Sequence, residues 1–246
     1  MKNSERVSLA PAYVLHHHDW RETSRTLEVF SRDHGRLGLV ARGARRARSP
    51  WRTVLQPFRL LLLSWVGGGE LATLIGAEAA GGAQPLSGAA LMSAYYMNEL
   101  LLRLLPRHDA QAELFGHYAE SLGRLSQAPS AALRIFEKQL LLALGYGLTL
   151  DKDVASGEPV QADAIYRYEI ERGPMRVASA TGVGLYISGS ALEALAREDF
   201  RQTEQLQQAR SVLRTALDRL LGERPLRTRR VMQAVVRGAR AGAQHE

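Results

Sequence analysis

The chain has 246 residues, of which 46% are hydrophobic, a net charge of +7 and no cysteine. That composition supports a real core in one large or two ordinary domains, and the missing thiols exclude disulfides, thiol catalysis and thiolate metal sites. The positive balance points to a polyanion, either nucleic acid or an anionic membrane face.

A membrane partner is not expected, because the longest apolar runs, Leu60 to Leu63 and Leu140 to Leu144, fall far short of the roughly 20 residues a spanning helix needs. No hydrophobic signal core follows the first six residues, so a cytoplasmic location is expected. The charge is uneven: residues 1 to 83 hold 12 Lys/Arg against 7 Asp/Glu, and a second acid-free basic stretch runs from Arg224 to Arg240.

The first eighty residues read as five short strands separated by turn residues, at Val7 to Leu15, Thr26 to Ser31, Arg36 to Ala41, Pro57 to Val66 and Glu70 to Ala77. Asp33-His34-Gly35 and Gly67-Gly68-Gly69 supply turns. Five such strands, with a long basic connection between the third and fourth, suit an OB-type barrel. Near residue 84 the apolar period changes from two to about 3.6, which predicts a domain boundary between 1–83 and 84–246.

Helices are predicted over Leu86 to Leu105, closed by Pro106, over Ala110 to Leu125, and over Ala131 to Leu144, capped by Gly145. Residues 148–188 break the helical pattern. There Ala164 to Ile170 and Met175 to Ala178 flank Arg172-Gly173-Pro174 as a hairpin, with Val183 to Ile187 as a third short strand. Helices return from Ser190. The apolar face Leu206, Ala209, Leu213, Leu217 and Leu220 ends at Gly222, and a last helix is predicted over Thr228 to Val236. The expected class is therefore α+β: a five-stranded OB-fold barrel followed by a mainly α-helical domain with a small β-hairpin lobe.

The most informative stretch lies between Arg36 and Arg59, with seven arginines and no acid. Its densest part, Gly43 to Arg52, leaves a strand and ends beside Trp51. Arginines spaced by small residues can track a phosphate backbone while Trp51 offers a stacking face; the competing reading is a solvated basic loop with Trp51 capping the core. His16-His17-His18-Asp19 suggests a metal site, but neighbours on a strand point to opposite faces, which favours a solvated strand end whose imidazoles touch phosphate when protonated. Asp151, Asp153, Glu158 and Asp163 form an acidic cluster of the kind a metal-dependent nuclease uses, set in a loop composition that favours solvation. No Walker loop, nucleophile elbow or paired-histidine helix occurs, so no enzyme and no cofactor are expected. Arg134 and Glu137 stand one helical turn apart and can pair, or Arg134 can anchor a partner's terminal carboxylate.

Taken in order, Trp20-Arg21-Glu22-Thr23-Ser24, Gly35-Arg36-Leu37, Val40 through Arg45, Leu55-Gln56-Pro57-Phe58, Pro85 through Gly88, Asn98-Glu99-Leu100-Leu101, Arg134 through Glu137, Leu144 through Gly147 and Pro225 through Arg229 resemble the RecO family of bacterial recombination mediators over essentially the whole chain. The resemblance implies single- and double-stranded DNA binding, annealing of strands coated with single-strand DNA-binding protein (SSB), capture of that protein's acidic tail by the helical domain at Arg134, and action with RecR to load RecA. Many relatives hold a zinc with four cysteines in the segment matching Leu148 to Ile187. This chain has neither cysteine nor histidine there and resembles a zinc-free branch.

On this reading Arg36, Arg42, Arg45, Arg46, Arg48 and Arg52 contact DNA backbone, with Trp51 stacking a base, and Arg227, Arg229 and Arg230 supply a second surface on the far domain. About five single-strand contacts predict a roughly 100-fold loss of affinity from 50 to 200 mM salt. The competing classes are a sequence-independent DNA-binding regulator and a nuclease built on the 151 to 163 carboxylates.

Overall fold

A computed structural model describes residues 6–82, 85–232 and 234. Five strands, β1 (Arg6–Trp20), β2 (Ser24–Ser31), β3 (Gly35–Ala41), β4 (Leu61–Val66) and β5 (Leu71–Ala79), close into a barrel in the order β1-β2-β3-β5-β4. All neighbours are antiparallel except β3 and β5, which pair in parallel at Gly38 to Val40. This is the OB-like barrel expected from the alternation. Leu37, Leu39 and Ala41 of β3, and Leu61, Leu63 and Trp65 of β4, alternate into one core, where they meet Val14, Leu27, Val29 and Leu74.

Within the barrel, two boundaries differ from the sequence reading by more than two residues. β1 continues through the three histidines to Trp20, because β2 supplies partners as far as Ser24. β4 begins at Leu61 rather than Pro57, since Phe58 takes a left-handed backbone (φ 61°) that interrupts extended structure.

The short helix α1 (Trp51–Val54) follows the basic loop. α2 (Gly88–Leu104) and α3 (Ala112–Arg124) come next. They belong to the barrel's own compact unit, which among the described residues takes in those up to Ser126 and those from Leu226 on, while residues 127–225 form the second unit. The change of periodicity near residue 84 therefore does not coincide with the edge of a packing unit. The reason is aromatic packing on the barrel's outer face: Tyr13 and Phe30 project outward onto Phe115 and Tyr118 of α3, with ring centroids 5.0 to 6.2 Å apart. Buried Asn98 of α2 donates to the Leu15 carbonyl (2.9 Å) and accepts from the Tyr118 hydroxyl (2.6 Å), joining strand and both helices. Gly35 shows how close the α2–α3 connection approaches: a Cβ there would lie 2.1 Å from the Asp109 carbonyl oxygen, and its φ of 65° favours glycine independently.

The second unit contains α4 (Pro129–Ala143), a three-stranded sheet and the helices α5 (Gly189–Arg197) and α6 (Thr203–Leu221). The sheet runs β7-β6-β8, from β6 (Ile165–Glu169), β7 (Gly173–Val177) and β8 (Tyr186–Ser188), so the predicted hairpin and third strand both form. Lys138 of α4 closes the end of α5, donating to the carbonyls of Leu195 and Ala196 and to Glu198. α6 starts at a Gln202–Gln205 capping box, buries Ala209, Val212, Leu213, Ala216 and Leu217, and stops at Gly222. The predicted last helix is described over 227–232 and at 234; Arg237 and Arg240 lie outside the described residues.

Without cysteines, the lobe for which the resemblance raises the question of zinc is organised by Asp153. Its carboxylate accepts the backbone N–H of Ala155 (2.8 Å) and of Arg176 (3.3 Å), and its own N–H donates to the Glu158 carbonyl (2.8 Å). The Ala155 bond leads the backbone donors that hold this carboxyl below the usual aspartate range. Asp153 is 6% exposed, so it departs from the solvated acidic loop expected, whereas Asp151, Glu158 and Asp163 are exposed. Among the described residues no three His, Asp or Glu side chains are placed to hold a metal, and the segment's residues do not fit a zinc site.

Candidate nucleic-acid interface

One end of the barrel assembles the basic surface from three neighbouring strands. Asp19 of β1 pairs with Arg25 of β2, which pairs with Ala41 of β3, so the β1–β2 turn and the arginine loop leave the sheet side by side. β4 pairs with β1 only from Arg6 to Ala12, and His16 through Trp20 are exposed. His16 and His18 stand edge to face with ring centres 4.2 Å apart, and the His17 ring lies 6.3 Å from that of His16, inclined 21° to it. Burial, with adjacent His18, His17 and Arg227, lowers the His16 pKa. Burial and Arg25 lower that of His17.

The loop itself is a chain of turns, with Arg46 N–H donating to Gly43, Ser49 N–H to Arg46 and Arg52 N–H to Ser49 carbonyls. Ala44 is buried in the barrel core and fixes the loop's base. Arg42, Arg46, Arg48 and Arg52 are exposed, as the phosphate-tracking reading requires. Arg45 is exposed as well, but its side chain is also engaged within the protein. Its guanidinium donates to the carbonyls of Arg21 (3.0 Å) and Glu22 (3.1 Å) and pairs with Asp19 (3.3 Å), while its backbone N–H donates to Thr23 (2.9 Å). It fastens the loop to the β1–β2 turn.

Arg36 is the exception among the predicted contacts. Its guanidinium donates to the Leu105 carbonyl (3.0 Å) and pairs with Glu28 (3.3 Å), which also binds Arg107. Burial is the largest influence on it and lowers its pKa. A side chain so engaged connects the barrel to the end of α2. Trp51 likewise packs, partly buried, against the barrel core, which matches the capping reading rather than the stacking one.

Arg227, Arg229 and Arg230 were expected on the far domain, but Leu226 onward belongs to the barrel's unit. Glu99 of α2 draws the segment back by accepting the N–H groups of Arg227 (2.8 Å) and Thr228 (2.9 Å) and the Thr228 hydroxyl (2.6 Å), a cap for the helical stretch 227–232. Leu226 is buried, and Arg229 lies over the Tyr96 ring, 5.6 Å from its centroid. Arg227 and Arg230 are exposed, and Arg227 is close enough to His16 to depress its protonation. Arg227, Arg229 and Arg230 thus share a unit with the arginine loop.

Arg134 lies in the other unit, on α4. It is 6% exposed and pairs with Glu137 at 2.9 Å, the intrahelical arrangement that the spacing allowed. Its Nε is buried and has no hydrogen-bond partner.

Sequence reasoning missed Trp20 as a surface aromatic. The signal was present in its position beside Arg21 after a run of polar residues, where no apolar period calls for a buried ring. No helix among the described residues is long and apolar enough to cross a membrane.

Comparison with known proteins identifies the family. The family model for the recombination protein O N terminal matches residues 6–83, and that for its C terminal matches residues 86–230. DNA repair protein RecO of Alkalilimnicola ehrlichii is 48% identical over 97% of this chain and 96% of its own. Those of Nitrosococcus oceani and Aromatoleum aromaticum are each 46% identical, over 94% and 95% of this chain and 95% and 98% of theirs. These relatives are named as DNA repair proteins, and none carries an enzyme's name. With both family models matched in order and such identity along nearly its full length, the chain belongs to the RecO family of DNA repair proteins.

Proposed function

We propose that this protein binds single- and double-stranded DNA through the arginine loop, anneals complementary strands coated with SSB, and works with RecR to help RecA load. The observation that carries the DNA part is the group of four exposed arginines, Arg42, Arg46, Arg48 and Arg52, on a loop whose base is buried at Ala44 and whose flank is fastened by Arg45. Annealing requires that the repulsion between two backbones be neutralised while base edges remain free. Exposed guanidinium groups on a pre-folded loop meet both needs without reading sequence. Arg227 and Arg230 extend the positive surface within the same unit.

The SSB, RecR and RecA steps rest on family membership. For the SSB tail the candidate anchor is Arg134, which would receive a carboxylate by exchanging its bond to Glu137. The unsatisfied Nε supports that role, because a second acceptor is wanted there. If Arg134→Ala folds and still binds a fluorescent acidic tail peptide as tightly as the unaltered protein, that assignment is wrong.

The function as a whole is tested by the annealing rate of complementary oligonucleotides pre-coated with cognate SSB. Acceleration by the unaltered protein, lost when Arg46, Arg48 and Arg52 become alanine, is expected. No acceleration by either protein would refute the reading.

A further inference from the structure

We infer that the β1–β2 turn is the base-stacking element of the DNA interface and that Trp20 is its stacking face. This rests on the single-strand DNA reading above and names the residue that would engage unpaired bases. The chain has three tryptophans. Trp65 is 4% exposed inside the barrel, Trp51 packs against the same core, and only Trp20, at 43% exposure, offers its ring to solvent. It ends β1 opposite Ser24, immediately before a tight three-residue connection in which Arg21 takes a left-handed backbone (φ 53°).

Three features distinguish this indole from an incidental surface aromatic. First, its scaffold is rigid: Arg45 ties the carbonyls of Arg21, Glu22 and Thr23 to the arginine loop, so no ordering of the turn is needed when a ligand arrives. Second, the local charge suits a polyanion. Arg21 places its guanidinium carbon 5.9 Å from the ring centroid, where it can also meet the phosphate of a stacked nucleotide. Asp19, the acid next to Trp20, is exposed but paired with both Arg25 (3.1 Å) and Arg45 (3.3 Å), leaving Glu22, among the described residues, as the carboxylate at the tip outside an ion pair. Third, the turn and the arginine loop leave adjacent strands at the same end of the barrel, so a strand held by Arg46 and Arg48 passes the indole. The first interstrand loop of an OB barrel is also a position from which such barrels contact oligonucleotides in general.

Stacking on an aromatic needs an unpaired base with an open π face, so Trp20 should contribute to single strands and not to blunt duplex. The test compares unaltered protein, Trp20→Ala, Trp20→Phe and the Arg46/Arg48/Arg52 triple alanine variant. Each is titrated into fluorescein-labelled oligothymidylate and into a duplex of equal length, after circular dichroism has established folding. Trp20→Ala should bind oligothymidylate about 5- to 150-fold more weakly, the range for loss of one base–aromatic stack, with Trp20→Phe intermediate and duplex affinity unchanged. Tryptophan emission of the unaltered protein should be quenched by oligothymidylate, and that of Trp20→Phe should not. Equal single-strand affinity of Trp20→Ala and unaltered protein, with loss only in the arginine variant, overturns the stacking inference and leaves the DNA-binding reading intact. Equal losses on single strand and duplex also overturn it, since they mark a role without base contact. Absence of oligothymidylate binding by the unaltered protein refutes both.

Discussion

Asp153 offers the sharpest test of how this chain folds its cysteine-free lobe. Its buried carboxylate receives the N–H of Ala155 at 2.8 Å and of Arg176 at 3.3 Å, so one side chain joins the knuckle at residues 153–158 to strand β7. Hydrogen bonds to a charged acceptor are each worth about 1.5 to 3 kcal/mol, and the longer bond to a partly exposed strand belongs at or below the low end. Asp153→Ala should therefore cost about 2 to 3 kcal/mol. Asp153→Asn retains one acceptor but sets an amide donor against the other N–H, and should cost about half as much. The three tryptophans lie at positions 20, 51 and 65, all in the barrel's unit, so their fluorescence reports that unit. The lobe is read instead by hydrogen exchange of the β6 amides from Ile165 to Glu169. The expected result is lost protection there with an unchanged tryptophan transition. Protection that stays within about 0.5 kcal/mol of the unaltered protein would refute the claim that this carboxylate organises the lobe.

The same group sets an acid sensitivity. Because backbone donors depress its folded pKa, its stabilisation is present above the unfolded value of about 3.9 and is lost as pH falls through the folded value; β6 protection should follow that course and Asp153→Asn should flatten it. At the interface, with Arg36 internal and Arg45 a fastener, about four arginines remain to meet single-strand phosphate. Affinity should then fall about 50-fold between 50 and 200 mM salt, and a salt-insensitive complex would contradict the loop's role. His16 and His17 have lowered pKa values and stay largely neutral at pH 7; a nearby polyanion favours their charged forms, so DNA affinity should rise as pH falls from about 7 to 5.5. Replacing His16, His17 and His18 by glutamine should abolish that rise, measured by anisotropy at constant ionic strength. Glu99→Ala removes the cap from the stretch beginning at Arg227 and should cost about 1 to 2 kcal/mol locally, seen as faster exchange at 227–232 with the barrel unaffected. Asn98→Ala, which removes a buried bridge between Leu15 and Tyr118, should lower global stability of the barrel's unit by about 2 to 4 kcal/mol in urea.

Much of the architecture is local and could be read directly from the chain. Alternation at Leu37, Leu39 and Ala41, the change to a period near 3.6 after residue 84, and stops at Pro106, Gly145 and Gly222 report backbone preferences and the solvent face of each element, which neighbouring residues determine. The basic loop was legible for the same reason, since seven arginines without an acid cannot be a core.

What each of those arginines does was decided by tertiary structure. Arg36 became internal because Glu28 and Leu105 arrive beside it from a neighbouring strand and from α2, and Arg45 became a fastener because the β1–β2 turn presents three carbonyls to it. Trp51 packs and Trp20 stays exposed according to which one the barrel core could cover. The C-terminal arginines joined the barrel's unit through Glu99, 128 residues earlier in the chain. Asp153 became a structural carboxylate because strand β7 folds back onto it. A long side chain takes its role from whichever acceptors lie within its reach, and those acceptors are brought there by distant segments. Composition and periodicity therefore determine where charge and core lie along the chain, while only the packed fold determines which charges are used up inside it and which are left for a partner.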